Sequence, residues 1–82
     1  MANKAYIIRA FVQNKQVNYT TQVISEASNV NGEGATSIFI ENDEASSNTL
    51  YWGGIPIKAG YSRKFINEPG IIINQDFELI FR

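Results

Sequence analysis

Hydrophobic and polar residues alternate along most of this chain, and the alternation predicts β-strands. Segment 4–13 (KAYIIRAFVQ) lacks Gly and Pro and is rich in β-branched and aromatic residues. One of its two faces is wholly apolar, while the other carries an arginine. The apolar face is formed by Tyr6, Ile8, Ala10 and Val12.

A second strand is predicted over segment 16–25, where the alternation is stricter. Amide and hydroxyl residues occupy one of its faces. The other face consists of Val17, Tyr19, Thr21 and Val23. The intervening Asn14-Lys15 suits a two-residue hairpin turn, because Asn tolerates positive φ. The first two strands are therefore predicted to pair as an antiparallel hairpin.

The remainder of the chain predicts further short strands separated by turns. The pattern indicates a loop over 26–35, a strand over 36–41 and a polar loop over 42–47. The run 48–65 is predicted to form three strands, with a glycine corner between the first two and a glycine turn before the third. A turn over 67–70, a buried apolar run over 71–73 and a strand over 77–82 follow. This spacing is typical of an all-β fold, a small antiparallel β-sandwich or partly open barrel of about seven or eight strands. We expect one domain over residues 1–82, with no substantial helix.

The composition excludes most catalysis. The 82 residues include no histidine and no cysteine, which removes the usual general base, the thiol nucleophile and the commonest zinc ligands. Glu41, Asp43 and Glu44 could bind calcium, but their spacing does not fit an EF-hand loop. Gly53-Gly54 opens no helix and is interpreted as a tight turn, not a phosphate loop. We expect a protein that is not an enzyme and has no cofactor or resident metal.

The size of the chain and its net charge indicate which kinds of partner to expect. A core this small, without disulfides, favours oligomerisation as the source of additional stability. The formal net charge of -1 gives no general attraction to nucleic acid or membrane. Five acidic and no basic residues lie within 26–44, so an acidic loop could meet a basic face of a neighbouring subunit. Because the first residues lead directly into a strand pattern, no signal peptide is expected, and synthesis in a cytoplasm is predicted.

The candidate contact residues lie in the run 48–65, which holds the only Trp and two of the four Tyr. Neighbouring side chains on a strand face opposite sides, so one of Tyr51 and Trp52 is expected in the core and the other on the surface. Exposed aromatics beside cations can anchor a protein interface or stack on sugars or bases; packing within the core is the alternative. The residues predicted near a contact are Tyr51, Trp52, Ile55, Tyr61 and Arg63.

The run SNTLYWGGIPIKAGYSRKF, together with the closing IIINQDFELIFR, resembles small structural proteins of phage virions. The likeness covers about residues 36–82 and lies in an Asn-Thr-hydrophobic-Tyr-hydrophobic-Gly phrase, the turns that follow it and the last strand. This chain is shorter after that phrase, with only Gly54-Ile55-Pro56 where such proteins carry a longer insertion. The resemblance implies a virion component, such as a head decoration, auxiliary, neck or tail protein. Such proteins bind the capsid or one another and often form trimers.

Two alternatives remain open from the sequence. A small carbohydrate-binding module for host attachment would also use exposed aromatics. A single-stranded nucleic-acid binder of the OB type would need a more basic surface than this chain provides.

Overall fold

Eight strands make up the protein in a computed structural model that describes residues 3–67, 69, 73 and 76–82. The strands are β1 (Ala5–Gln13), β2 (Gln16–Ile24), β3 (Ser28–Val30), β4 (Ser37–Asn42), β5 (Leu50–Trp52), β6 (Ile55–Ile57), β7 (Ser62–Ile66) and β8 (Phe77–Phe81). They form two antiparallel four-stranded sheets, and the described residues include no helix. The predicted all-β sandwich is confirmed. No helix in this part of the chain could cross a membrane.

The two sheets are interleaved along the chain. The first has the order β2-β1-β4-β7, and the second has the order β3-β8-β5-β6. The predicted run 48–65 does form three strands, but they are divided between the sheets. β5 and β6 pair in the second sheet, whereas β7 crosses to the edge of the first.

The first hairpin is the longest element. All nine residues of β1 pair with β2, from Ala5–Ile24 to Gln13–Gln16, which leaves Asn14-Lys15 as a two-residue turn. Both turn residues have positive φ, 52° and 63°, as a type I′ turn requires. The predicted hairpin is confirmed.

In two later turns, glycine occupies a position with positive φ. Gly53 (φ 59°) lies in the two-residue turn between β5 and β6. Gly60 (φ 84°) lies in the turn in which the Tyr61 N–H donates to the Lys58 carbonyl at 2.9 Å, before the chain enters β7. Both positions favour glycine because other residues rarely adopt positive φ.

The core lies between the inner faces of the sheets. Its buried members come from both sheets, from the loop between β3 and β4, and from the segment before β8. They are Ala5, Ile7, Ile24, Val30, Ala35, Ile38, Ile40, Leu50, Ile57, Phe65, Ile73 and Leu79. The alternation predicted for the last strand is confirmed, with Leu79 buried and Glu78 exposed. Phe77 and Phe81 pack against the buried cluster from the same face.

Two polar side chains are buried with this core. Arg9 is only 5% exposed; its guanidinium donates to the Asn31 carbonyl at 2.7 Å and to Gln22 Oε1 at 2.6 Å. Asn42 is fully buried, and its Nδ2 donates to the carbonyls of Asn48 (3.0 Å) and Ile57 (2.9 Å). Both side chains hold loops against strands.

Three sequence predictions need correction or lie out of reach. The predicted loop over 26–35 contains β3, whose three residues pair with β8; so short a strand has little local signal and depends on its distant partner. Asn42, predicted to open a polar loop, is the buried last residue of β4. The predicted turn over 67–70 and the apolar run over 71–73 fall largely outside the described residues, although Ile73 is buried.

We expect Asn42→Asp to destabilise the protein by about 3 kcal/mol, because it buries a charge and removes both donated hydrogen bonds. Urea denaturation measures the change. Asn18→Asp, on the exposed β2, should change the free energy of unfolding by less than about 0.5 kcal/mol. Equal effects of the two substitutions would contradict the role of Asn42.

We expect Lys15→Gly to stabilise the hairpin by up to about 1 kcal/mol, because glycine adopts the second position of a type I′ turn without strain. Asn14→Gly is the matched control and should gain less, since Asn already tolerates positive φ. Thermal unfolding of the three proteins compares them; a larger gain from Asn14→Gly would contradict this account of the turn.

Candidate functional site

The most distinctive surface of the molecule is the outer face of the first sheet, called here the outer face. Among the described residues, six of the seven large hydrophobic side chains that are exposed lie on it. These six are Val12, Val17, Tyr19, Val23, Phe39 and Ile66. Singly exposed apolar side chains are ordinary, but a contiguous set on one face indicates a contact surface.

Strand register fixes which residues share this face. Residues paired across neighbouring strands point to the same side, so the register gives four rows. From the hairpin end, the rows are Val17–Val12, Tyr19–Ala10–Ser37–Ile66, Thr21–Ile8–Phe39–Lys64 and Val23–Tyr6–Glu41–Ser62. The wholly apolar face of β1 and the apolar face of β2, both noted in the sequence, therefore lie together and point away from the core.

β4 explains why these apolar residues lie outside. Ile38 and Ile40 alternate with Phe39 and Glu41, and the two isoleucines are fully buried. Turning β4 over would bury the Glu41 carboxylate, which is costly without a partner. The register then places Arg9 of β1 beside Ile38 on the inner side.

The outer face is concave near its centre. A depression of about 570 Å³ is lined by residues from all four strands and by Thr36 just before β4; among the lining residues are Ile8, Tyr19, Phe39 and Ile66. Neighbouring strands lie about 4.8 Å apart and successive rows about 6.8 Å apart, so four strands and four rows give a face of roughly 20 Å by 20 Å. The whole face, with its polar positions included, therefore covers roughly 400 Å².

The four rows of the outer face include two charged residues, of which Lys64 also lines the depression. Lys64 is on the edge strand β7, and Glu41 is in the last row. At the same end, Lys4 Nζ lies 5.4 Å from the centre of the Tyr6 ring. An apolar centre with a polar rim is the usual composition of a protein–protein interface.

The residues predicted from the sequence do not form one patch. Trp52 faces inward. Its ring is stacked on the Phe77 ring, with 3.9 Å between the ring centroids, and lies edge-on to the Phe65 ring, with 4.0 Å between centroids. Because Phe65 belongs to the first sheet and Trp52 and Phe77 to the second, these contacts join the two sheets. Ile55 also packs against the buried cluster. Tyr51 faces the opposite side of the second sheet, as expected for the neighbour of an inward Trp. Their contact with a partner stays a prediction.

Tyr61 and Arg63 do lie together. They line a shallow groove of about 280 Å³ with Lys58 and Pro56, where the chain passes from β6 to β7. Tyr61 is 66% exposed. The groove is a second place where an aromatic and cations meet, but it is smaller and more polar than the depression on the outer face.

The acidic residues considered for calcium are held apart by their local structure. Glu41 is an exposed residue of β4, while the Asp43 carboxylate accepts from the Ala45 N–H at 3.4 Å within the following loop. Across residues 3–67, 69, 73 and 76–82, no three acidic side chains are grouped so as to hold a metal ion.

Sequence reasoning noted the components of the outer face but did not identify it as a site. The period-two pattern marks the apolar faces of β1 and β2, and the hairpin turn implies that they adjoin. The direction of that combined face depends on β4, which pairs with β1 only in the folded chain, and β7 in turn pairs with β4.

Comparison of the chain with protein-family models, with curated proteins and with solved structures gives no match.

We expect Trp52→Ala to destabilise the protein by about 3–5 kcal/mol, because it removes the aromatic contacts between the sheets. Tyr61→Ala should change stability by less than about 0.5 kcal/mol, since that side chain is mostly exposed. Urea denaturation followed by circular dichroism distinguishes them; similar stabilities would contradict the packing role of Trp52.

Proposed function

We propose that this chain is a non-enzymatic structural component of a phage particle, which docks through its outer face on the capsid or on another virion protein. The observation that carries the proposal is the contiguous exposed apolar surface of the first sheet. Its setting in a virion is supported by the sequence resemblance over residues 36–82.

The chemistry of the outer face favours a protein partner. The depression on it offers Phe39, Ile66 and Ile8 to a complementary apolar surface, and burial of such side chains contributes roughly 25 cal/mol per Å². Nucleic acid would require a row of cations, whereas Lys64 is the one basic residue in the four rows.

A carbohydrate partner is a weaker fit to the same surface. Sugar recognition depends on flat exposed aromatics together with polar groups, and the only Trp of the chain packs between the sheets. Tyr19 is the most exposed aromatic of the outer face, at 66%. Glycan binding is therefore kept as an outcome of the experiment.

Repetition would strengthen such docking. One copy offers about 400 Å², roughly half of the 800 Å² that each partner contributes to a standard interface. Copies arrayed on a lattice gain avidity, because neighbouring contacts raise the effective concentration of each. A modest contact per chain is consistent with the function of a decoration or auxiliary protein.

We expect the double variant Phe39→Thr with Ile66→Thr to reduce docking at least about tenfold, since both side chains contribute exposed apolar area to the outer face. Co-sedimentation with purified particles of the phage whose genome encodes the chain measures the loss. Thr suits strands, so the fold should be retained.

Tyr61→Thr is the matched control, because it removes an aromatic that lies away from the outer face and is more exposed (66%) than Phe39 (37%). It should co-sediment like the unmodified protein. Unchanged co-sedimentation of the double variant would contradict the proposal. Binding to a glycan array that is lost in the double variant would support the carbohydrate alternative.

A further inference from the structure

Across the residues that the structure describes, the two sheets have four edge strands, and these differ in how they are protected against pairing with other strands. Natural edge strands are usually short, charged or interrupted by proline. β3 has three residues, and β6 has three including Pro56. β7 carries Arg63 and Lys64 among its five residues.

β2 has none of these protective features. It is nine residues long, contains no charged residue and no proline, and is exposed along most of its length. In the described part of the chain it lies at the edge of its sheet, next to β1 alone. An exposed, long and uncharged edge is a template for pairing with another strand.

The hairpin geometry shows which backbone groups are free on this edge. In a two-residue hairpin, the residues flanking the turn form a hydrogen-bonded pair, here Gln13 and Gln16. Even-numbered residues of β2 therefore bond to β1. The backbone N–H and C=O groups of the odd-numbered residues point outward; these residues are Val17, Tyr19, Thr21 and Val23.

We propose that two copies of this chain form a dimer by antiparallel pairing of their β2 strands about a two-fold axis at Thr20. All nine residues of β2 then have a partner. The outward groups form about eight interchain hydrogen bonds, because each hydrogen-bonded pair of an antiparallel ladder exchanges two.

The strand is self-complementary in this register. On one side of the new sheet, Val17 lies opposite the partner's Val23, and Tyr19 lies opposite the partner's Thr21. On the other side, Asn18 lies opposite the partner's Gln22. No charges are opposed, since β2 carries none, and aromatic or β-branched pairs across strands are stabilising.

The dimer would also extend the outer face. Odd-numbered residues pair with odd-numbered residues, so both outer faces lie on the same side of one eight-stranded sheet. Together they offer about 800 Å², the contribution of one partner to a standard interface. This last consequence rests on the proposed function, whereas the dimer itself does not.

Mass measurement by analytical ultracentrifugation is the first test. The chain has a mass of 9.2 kDa, so we expect a species of twice that mass at micromolar to millimolar concentration. Thr21→Pro removes an outward N–H and should give a monomer that remains folded by circular dichroism, because proline is tolerated on an edge where the N–H faces away from the sheet.

Thr21→Ala keeps the N–H and should stay dimeric. A monomer up to about 1 mM for the unmodified protein would overturn the proposal. So would a trimer, or a folded Thr21→Pro variant that still dimerises.

Crosslinking tests the register and does not depend on the proline variant. Across the two-fold axis, Thr20 faces its own counterpart with the Cα atoms about 4.5 Å apart, within reach of a disulfide. We expect Thr20→Cys to form a disulfide-linked dimer under mild oxidation, in a chain with no other cysteine.

Asn18→Cys is the control for this experiment. In the proposed register, its counterpart lies four residues further along the partner strand, about 14 Å away and out of reach of a disulfide. Equal crosslinking of both variants, or none with Thr20→Cys, would overturn the register. A double variant at Phe39 and Ile66 should still dimerise, so failure of the docking function and failure of the dimer are distinguishable.

Discussion

Register coupling in the first sheet determines the orientation of every side chain in it. β4 can bury Ile38 and Ile40 only if Glu41 points outward. β1 pairs with β4 over six residues, so this choice also fixes β1: Ile7 and Arg9 face the core, while Ile8 and Ala10 face outward. A slip of one residue would reverse both sets. The apolar outer face is thus a consequence of how the core is built.

The same coupling places a cation inside the sandwich. Arg9 is accepted there because a carbonyl and an amide oxygen bind its guanidinium within 2.7 Å. The Asn31 side chain in turn donates to Asp76 at 2.6 Å, which connects β1 to the segment that precedes β8. Near the other end of β1, Asn42 links β4 to β6. The two sheets are therefore joined by directional bonds as well as by apolar packing.

Local chemistry accounts for what could be predicted from the sequence. The Asn14-Lys15 turn, the glycine turns and the alternating strands each depend on neighbours in the chain, and each is confirmed. β3 could not be predicted, because its three residues form a strand only beside the distant β8. Asn42 lies at the junction of a strand and a polar run, and nothing in its neighbours indicates burial.

The candidate site could be predicted only in part, for the same reason. The apolar faces of β1 and β2 are visible in the sequence, whereas their exposure follows from pairing with β4. Conversely, Trp is a residue type that is common at contact surfaces, yet the Trp52 ring packs against Phe65 of the first sheet and Phe77 of the second. Composition indicates which residues contribute binding energy, and topology decides whether they meet a partner or each other.

The position of β8 has a consequence for folding during synthesis. The first sheet is complete once Ile66 has been made, but the second needs β8, which lies between β3 and β5. Pairing of Ser28 with Leu79 spans most of the chain, and such long-range pairing is slow. Until then, a finished sheet exposes apolar side chains on both faces and an uncharged β2 edge. The chain is therefore most prone to aggregation in the interval before β8 pairs with β3 and β5.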